Sequence, residues 1–206
     1  MRALLLILLF ATSLCRGESL AGSTHIPSAI ETSSAEQELE GLRQFLEQTI
    51  HQSVSFQDRF DAEVWLVDMS ARLEPLVNDP DQRLKLLEAI HRHASQTGLP
   101  AELMLAVIEV ESHFDRYAVS RAGAQGLMQV MPFWRHEIGR PGDNLTDINT
   151  NLSYGSRILQ YYLQLEEGRL VTALARYNGS AGSRRYPDKV ERAWRTRWRT
   201  EPLDWR

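Results

Sequence analysis

The chain has 206 residues, of which 43% are hydrophobic and 24% charged, and its formal net charge at pH 7 is −4. This length and composition allow a substantial buried core in one or two domains and exclude an intrinsically disordered protein. The acidic balance argues against a general nucleic-acid-binding protein, whose surface would carry an excess of positive charge.

The N-terminus has the pattern of a secretory signal peptide. Met1-Arg2 is followed by an apolar run over residues 3–14 that is too short to span a membrane. Cleavage after Gly17 and cleavage after Ala21 both fit the preference for small residues, and we assign residues 1–21 to the signal. We therefore expect an exported protein of the periplasm or cell envelope.

Cys15 is the only cysteine of the chain. Because it lies inside the predicted signal, we expect a processed protein with no disulfide and no thiol chemistry. The alternative is a lipid anchor at Cys15, which Leu14 disfavours because bacterial lipoprotein signals have a small residue at that position.

Helices are predicted for the region that follows. Residues 22–35 are rich in serine and threonine and are predicted to form a flexible leader. Apolar residues recur at helical spacing over 36–52 and over 56–76. In the second of these helices the predicted inner face carries Phe56, Phe60, Val64 and Val67.

A third helix is predicted from its end signals. Asp79 is its expected N-cap, with Pro80 at the first position and Gln82 completing a capping box. It runs to about Gln96, before Gly98. We assign residues 36–98 to a helical region that packs on the following domain, residues 99–206.

The helix after Pro100 places one acid on its apolar side. Glu111 falls inside the sector defined by four apolar residues at helical spacing, Leu103, Val107, Val110 and Phe114. Glu109 points about 160° away at 100° per residue, so the two acids do not form a pair. Shielding from water raises the pKa of a carboxyl group, as a proton donor near neutral pH requires. The alternative is a buried acid satisfied by a hydrogen bond or a basic partner.

A loop with two glycines follows and completes an ordered set of motifs. The motifs are ESHF at 111–114, AVS at 118–120, GAQGLMQVMP at 123–132 and ARYNG at 175–179. This set resembles the signature of the soluble lytic transglycosylases, which share the goose-type lysozyme fold, and it spans Gly98 to Lys189. The resemblance implies a mainly α, lysozyme-like catalytic domain over residues 99–206, preceded by extra N-terminal helices. No convincing strand pattern is present in the sequence.

The resemblance also implies a reaction and its residues. A lytic transglycosylase is a lyase that cleaves the β-1,4 bond between MurNAc and GlcNAc in peptidoglycan strands, leaving a 1,6-anhydro-MurNAc end. Glu111 would act first as the acid and then as the base. The remaining implied site residues are Ser120 and Gln129 as hydrogen-bonding groups, Met131 in the wall of the cleft, Tyr177 bonded to Glu111, and Asn178 in support. The plainer roles are loop bonding for Gln129, core packing for Met131 and packing for Tyr177.

One departure from the family pattern affects this site. Arg176 precedes Tyr177 where the family has alanine directly before the tyrosine, which puts the register of Tyr177 and Asn178 in question. After Gly179, residues 180–186 are predicted to be a loop, with Pro187 opening the last helix.

Two other functions compete with this assignment. A lysozyme-like hydrolase would need a second carboxylate, and Asp115, Asp143 and Asp147 are more typical of loops and helix caps. A non-catalytic glycan-binding or assembly module could bind an envelope protein through the N-terminal helices. We expect no cofactor, because the sequence contains no metal cluster, phosphate loop or nucleophile triad. His91 and His93 would point in different directions on a helix.

The C-terminal region alternates arginine with tryptophan. We expect Trp194 and Trp198 to pack inward while the arginines remain solvated. The alternative is a surface for an anionic polymer or a membrane.

Overall fold

The computed structural model describes residues 59–199 of the chain. This part consists of seven α-helices and one π-helical turn: α1 Arg59–Leu73, α2 Pro80–Thr97, α3 Ala101–Ser112, α4 Trp134–Ile138, α5 Ile148–Leu165, α6 Leu170–Tyr177, α7 Arg185–Ala193 and the π-helical turn Trp194–Trp198. The predicted mainly α fold is confirmed. The predicted signal, leader and first helix lie outside the described residues.

Helix α3 forms the centre of the fold. Six consecutive residues, Leu103–Ile108, are at most 2% exposed. A helix that is apolar on all sides must be covered on all sides. Helix α2, helix α7 and the π-helical turn pack around α3, while α5 packs against α2 and α6. The one-sided amphipathic helix predicted here is therefore a central helix.

Helix α1 buries a different face from the one predicted. Val64 and Val67 are about half exposed, whereas the buried face carries Ala62, Leu66, Met69 and Leu73. Both sets recur at helical spacing, and Val64 and Leu66 lie about 160° apart around the axis. Periodicity alone could not choose between two apolar stripes of equal spacing.

The predicted N-cap, first-turn proline and terminal glycine of α2 are confirmed. The Asp79 carboxylate accepts the backbone N–H of Gln82 at 2.8 Å, Pro80 opens the helix, and Gly98 ends it with φ of 66°. A positive φ of this kind favours glycine, which has no Cβ. The two histidines of α2 are separate, since His91 packs edge-on against Trp65 while His93 lies among the buried residues of the helix.

None of the helices in the range 59–199 is both long enough and apolar enough to span a membrane. The same range contains only two isolated β-bridges, Val119 with Gln125 and Gln125 with Val130. Both bridges lie in the loop that follows α3.

Candidate active site

Glu111 lies in the last turn of α3 and is half-buried. Its carboxylate oxygen Oε1 accepts a 2.6 Å hydrogen bond from the Tyr186 hydroxyl. Burial raises the pKa of Glu111 to about 7, against the opposing effects of the Tyr186 hydrogen bond and the positive charge of Lys189. The dominance of burial over both effects gives a carboxyl group that exchanges its proton near neutral pH.

The tyrosine that bonds Glu111 is not the one predicted. The Tyr177 hydroxyl donates instead to the backbone oxygen of Met128 at 2.7 Å. The predicted bond between Tyr177 and Glu111 is therefore wrong in this structure. Burial, followed by the charge of Glu111, raises the pKa of both Tyr177 and Tyr186 well above the ordinary value, so both phenols stay protonated as donors.

Tyr186 was missed because α7 begins earlier than predicted. The segment 180–186 was predicted to be a loop, but α7 starts at Arg185 and takes Tyr186 and Pro187 into its first turn. Proline is tolerated there because the first backbone N–H groups of a helix have no intrahelical acceptor. The available signal was the spacing of Tyr186, Val190 and Trp194, which form one buried stripe on α7 and the π-helical turn.

The chain leaves α3 through a strained turn. His113 and Phe114 have φ values of 51° and 65°, in the left-handed region that side chains other than glycine rarely adopt. The Ser112 hydroxyl donates to the backbone oxygen of Leu127 at 2.8 Å and ties this turn to the following loop. Two adjacent strained residues persist only where their surroundings hold them.

The Gln129 side chain bonds the backbone of its own loop. It has φ of 48°, and its Nε2 donates to the backbone oxygens of Gly126 at 2.9 Å and Ala118 at 3.2 Å. Since these bonds use both amide hydrogens, Oε1 is the polar side-chain atom left to meet a ligand. The loop-bonding role named as the plainer alternative is therefore present.

Asn151 on α5 clamps the same loop and was missed by the sequence analysis. Its Nδ2 donates to the backbone oxygens of Gln125 at 2.8 Å and Leu145 at 2.7 Å, while its Oδ1 accepts the N–H of Met128 at 2.7 Å. It is only 1% exposed. The available signal was its place among the apolar positions of α5, between Ile148 and Leu152.

Close contact with Asn151 explains one glycine of the motif. A Cβ built on Gly126 would lie 2.4 Å from Asn151 Nδ2 and 2.4 Å from the oxygen of Leu145. Gly126 also has φ of 76°, so both the space and the backbone require glycine.

The other predicted site residues surround this loop. The Ser120 hydroxyl accepts the N–H of Ala124 at 3.0 Å, which places it in the loop's own bonding. Met131 is half-buried and follows the second β-bridge. Asn178 is half-buried at the C-terminal end of α6, directly after Tyr177.

The three acids considered as a second carboxylate each have a structural partner. Asp115 accepts the N–H of Tyr117 at 2.8 Å, and Asp147 caps α5 by accepting the N–H of Thr150 at 2.9 Å. Asp143 accepts the Tyr154 hydroxyl at 2.5 Å and the N–H of Arg140 at 3.1 Å. Among residues 59–199 no group of three or more acidic, histidine or cysteine side chains could hold a metal ion.

Replacing Tyr186 with phenylalanine is expected to raise the pKa of Glu111 by about one to two units. The lost hydrogen bond stabilises the charged carboxylate, and bonds to charged groups contribute about 1.5–3 kcal/mol. Carbon-13 NMR titration of the Glu111 carboxyl group would measure the shift. Tyr177→Phe is the matched control, since it removes a buried hydroxyl that bonds Met128 and should leave the Glu111 titration unchanged. Equal titrations in Tyr186→Phe and the unmodified protein would contradict the assignment.

The tryptophans of the C-terminal turn pack inward. Trp194 is 3% exposed and Trp198 is fully buried, while the side chain of Arg195 is mostly exposed. This agrees with the packing expected for this region.

Comparison with known proteins defines the class to which this fold and site belong. The sequence model of the transglycosylase SLT domain matches residues 88–196, which is more than half of the chain. The chain belongs to this family. The match includes Glu111, Asn151 and Tyr186, and it excludes α1 and Trp198.

Individual relatives are similar over about half of the chain. The membrane-bound lytic murein transglycosylase C of Edwardsiella ictaluri (strain 93-146) is 32% identical over 131 residues, covering 55% of this chain and 36% of the relative. The protein of the same name from Yersinia pestis (strain Pestoides F) is 32% identical over 123 residues, covering 52% of this chain and 34% of the relative. The chain thus matches about a third of the length of these curated relatives.

Proposed function

We propose that this protein is a peptidoglycan lytic transglycosylase in which Glu111 is the single acid and base. The observation that carries the proposal is a half-buried carboxyl group with a pKa of about 7, held by Tyr186 within an SLT domain. The named relatives are lytic murein transglycosylases, and murein is the substrate that we propose here.

The proposed reaction has two proton transfers and consumes no water. Protonated Glu111 donates its proton to the oxygen that links MurNAc C1 to GlcNAc, and the C1–O bond breaks. The carboxylate then takes the proton of the MurNAc 6-hydroxyl, whose oxygen bonds to C1 and closes the 1,6-anhydro ring. Glu111 is protonated again at the end. Between the two transfers, the Tyr186 hydroxyl stabilises the negative charge on Oε1.

The absence of a placed second carboxylate in the described site supports this reaction over hydrolysis. Asp115, Asp143 and Asp147 are committed to a loop turn, a tyrosine and a helix cap. Most hydrolases of this kind use a second carboxylate to activate water or to attack the sugar.

Substrate contacts are proposed for the five other site residues that the family resemblance implies. Gln129 would accept a hydrogen bond from the glycan through Oε1, because its amide hydrogens are used in the loop. Ser120, Met131, Tyr177 and Asn178 would complete the surface that the glycan meets. Tyr177 would act there through the backbone of Met128, since its hydroxyl bonds that carbonyl.

We propose an exported protein that works in the cell envelope, where peptidoglycan lies. The relatives are named membrane-bound, so a lipid anchor at Cys15 remains the alternative to signal cleavage. Partner binding through residues 36–98 would direct the enzyme to its place in the envelope.

The test is the structure of the cleavage products. Purified peptidoglycan would be digested in oxygen-18 water and the muropeptides analysed by mass spectrometry. We expect 1,6-anhydro-MurNAc ends, lighter than reducing ends by one water, without oxygen-18. Reducing ends that carry oxygen-18 would show a hydrolase. Binding without any product would favour the non-catalytic module.

A further inference from the structure

Helix α3 receives two tryptophan hydrogen bonds on the side opposite Glu111. The Trp65 indole N–H donates to Glu102 at 2.7 Å, and the Trp198 indole N–H donates to Glu109 at 2.6 Å. Glu102 and Glu109 are seven residues apart and so lie on the same helix face. The sequence places Glu109 on the side of α3 away from Glu111, and in the structure Trp65 of α1 and Trp198 of the π-helical turn reach that side.

Trp198 contacts the chain on both sides of Glu111. Its indole bonds Glu109, two residues before Glu111, and its ring centroid lies 5.5 Å from that of Phe114, three residues after it. Phe114 is one of the two strained residues of the turn that leaves α3. Trp198 is fully buried, so it can hold this turn in place.

The same continuous helical segment carries both groups that reach this end of α3. Tyr186 lies in the first turn of α7 and bonds Glu111, while Trp198 ends the π-helical turn and bonds Glu109. The N–H of Arg199 bonds the oxygen of Trp194 at 3.0 Å, a five-residue step that rotates Trp198 relative to an α-helix. The two contacts fix the rotation of α3 about its axis.

Helix α1 holds the π-helical turn in place. Arg72 Nη1 donates to the backbone oxygens of Arg197 at 2.6 Å and Arg199 at 3.3 Å, and its Nε pairs with Asp68 at 2.8 Å. Arg197 Nε lies 3.4 Å from the Glu109 carboxylate and adds a charge contact to the same acid. Trp198 is therefore held at its backbone as well as at its ring.

We propose that Trp198 is a positioning residue for the reaction, although it lies outside the family match. It acts through Glu109 and Phe114 to keep the Glu111 carboxyl group aligned with the Tyr186 hydroxyl. The expected effect on kcat rests on the proposed function. The alignment of Glu111 with Tyr186 is a property of the folded protein and does not depend on that function.

The test compares Trp198→Phe with Trp65→Phe. Each variant removes one indole N–H from a carboxylate of α3, but Trp65 bonds an acid nine residues before Glu111 and Trp198 an acid two residues before it. We expect Trp198→Phe to lower kcat about tenfold with little change in KM, because small misplacements of a catalytic group are costly. It should also raise the pKa of Glu111 by at least about half a unit as the Tyr186 bond weakens. Trp65→Phe should change neither quantity.

A second variant and a second measurement distinguish failure of this inference from failure of the proposed function. Glu109→Ala removes the acceptor without altering the buried ring and should shift kcat and the Glu111 pKa in the same directions. Carbon-13 titration of Glu111 needs no activity, so it tests the alignment even if the unmodified protein cleaves no peptidoglycan, a result that would overturn only the proposed function. Unchanged kcat and unchanged Glu111 titration in both Trp198→Phe and Glu109→Ala would overturn the inference.

Discussion

Glu111→Gln is expected to reduce peptidoglycan cleavage by about 10³-fold, because glutamine cannot donate the proton to the leaving oxygen. The amide has nearly the same shape and can still accept the Tyr186 hydrogen bond. In the unmodified protein, cleavage should also fall as pH rises through about 7, since the acid must be protonated at the start of the reaction. Initial rates of muropeptide release across pH 5–9 would measure both effects.

The same substitution is expected to change stability in a pH-dependent way. The folded-state pKa of Glu111 is raised from 4.5 to about 7, so the unfolded state releases this proton at lower pH than the folded state does. Stability associated with protonated Glu111 is full below pH 4.5 and is lost as pH rises through about 7. Above that pH, the free energy of unfolding of Glu111→Gln should exceed that of the unmodified protein by up to about 3 kcal/mol. At about pH 4 the two free energies of unfolding should be equal.

Glu102→Gln is the control for both measurements. It lies on the opposite face of α3, and its remaining amide oxygen can still accept the Trp65 indole. Its cleavage rate should equal that of the unmodified protein. Normal cleavage by Glu111→Gln would remove Glu111 from the reaction, and a stability gain of equal size at low and high pH would contradict the raised pKa.

Asn151→Ala is expected to lower the free energy of unfolding by about 3–5 kcal/mol. The substitution leaves the buried N–H of Met128 and the buried oxygen of Leu145 without their partner, and it removes one of the two hydrogen bonds to the Gln125 oxygen, which also accepts the N–H of Val130. Each unsatisfied buried group costs about 1–3 kcal/mol. Urea denaturation followed by circular dichroism would measure the loss.

Asn149→Ala is the matched control on the same helix. Asn149 is exposed and bonds Arg92 at 2.8 Å, so its loss should change the free energy of unfolding by less than about 1 kcal/mol. Equal losses in the two variants would mean that the three bonds of Asn151 contribute nothing beyond those of a surface asparagine.

The predictable parts of the fold were those decided within a few residues of sequence. The cap of α2 depends on Asp79 and Gln82, and its end depends on Gly98, all of them local signals. Helix α1 shows where locality fails. Its two apolar stripes have the same spacing, and only packing against the rest of the protein decides that Leu66 is buried and Val64 exposed.

The candidate site divides in the same way. Glu111 was identifiable because its position on α3 and the loop motif are both local. Its partner was not, since Tyr186 lies 75 residues away and reaches it only because α7 starts before Pro187. Asn151 contacts a loop more than 20 residues earlier, and no periodicity in α5 distinguishes a clamp from an isolated polar residue.

The tryptophan bonds of α3 show that the residues matched by the family model are fewer than the residues that stabilise this helix. The family match ends at residue 196 and begins after α1, whereas the partners of Glu102 and Glu109 are Trp65 and Trp198. A fragment cut at the family boundaries would leave two carboxylates on its central helix without their donors. Grafting this SLT domain onto another protein therefore requires boundaries drawn from hydrogen bonds rather than from sequence similarity.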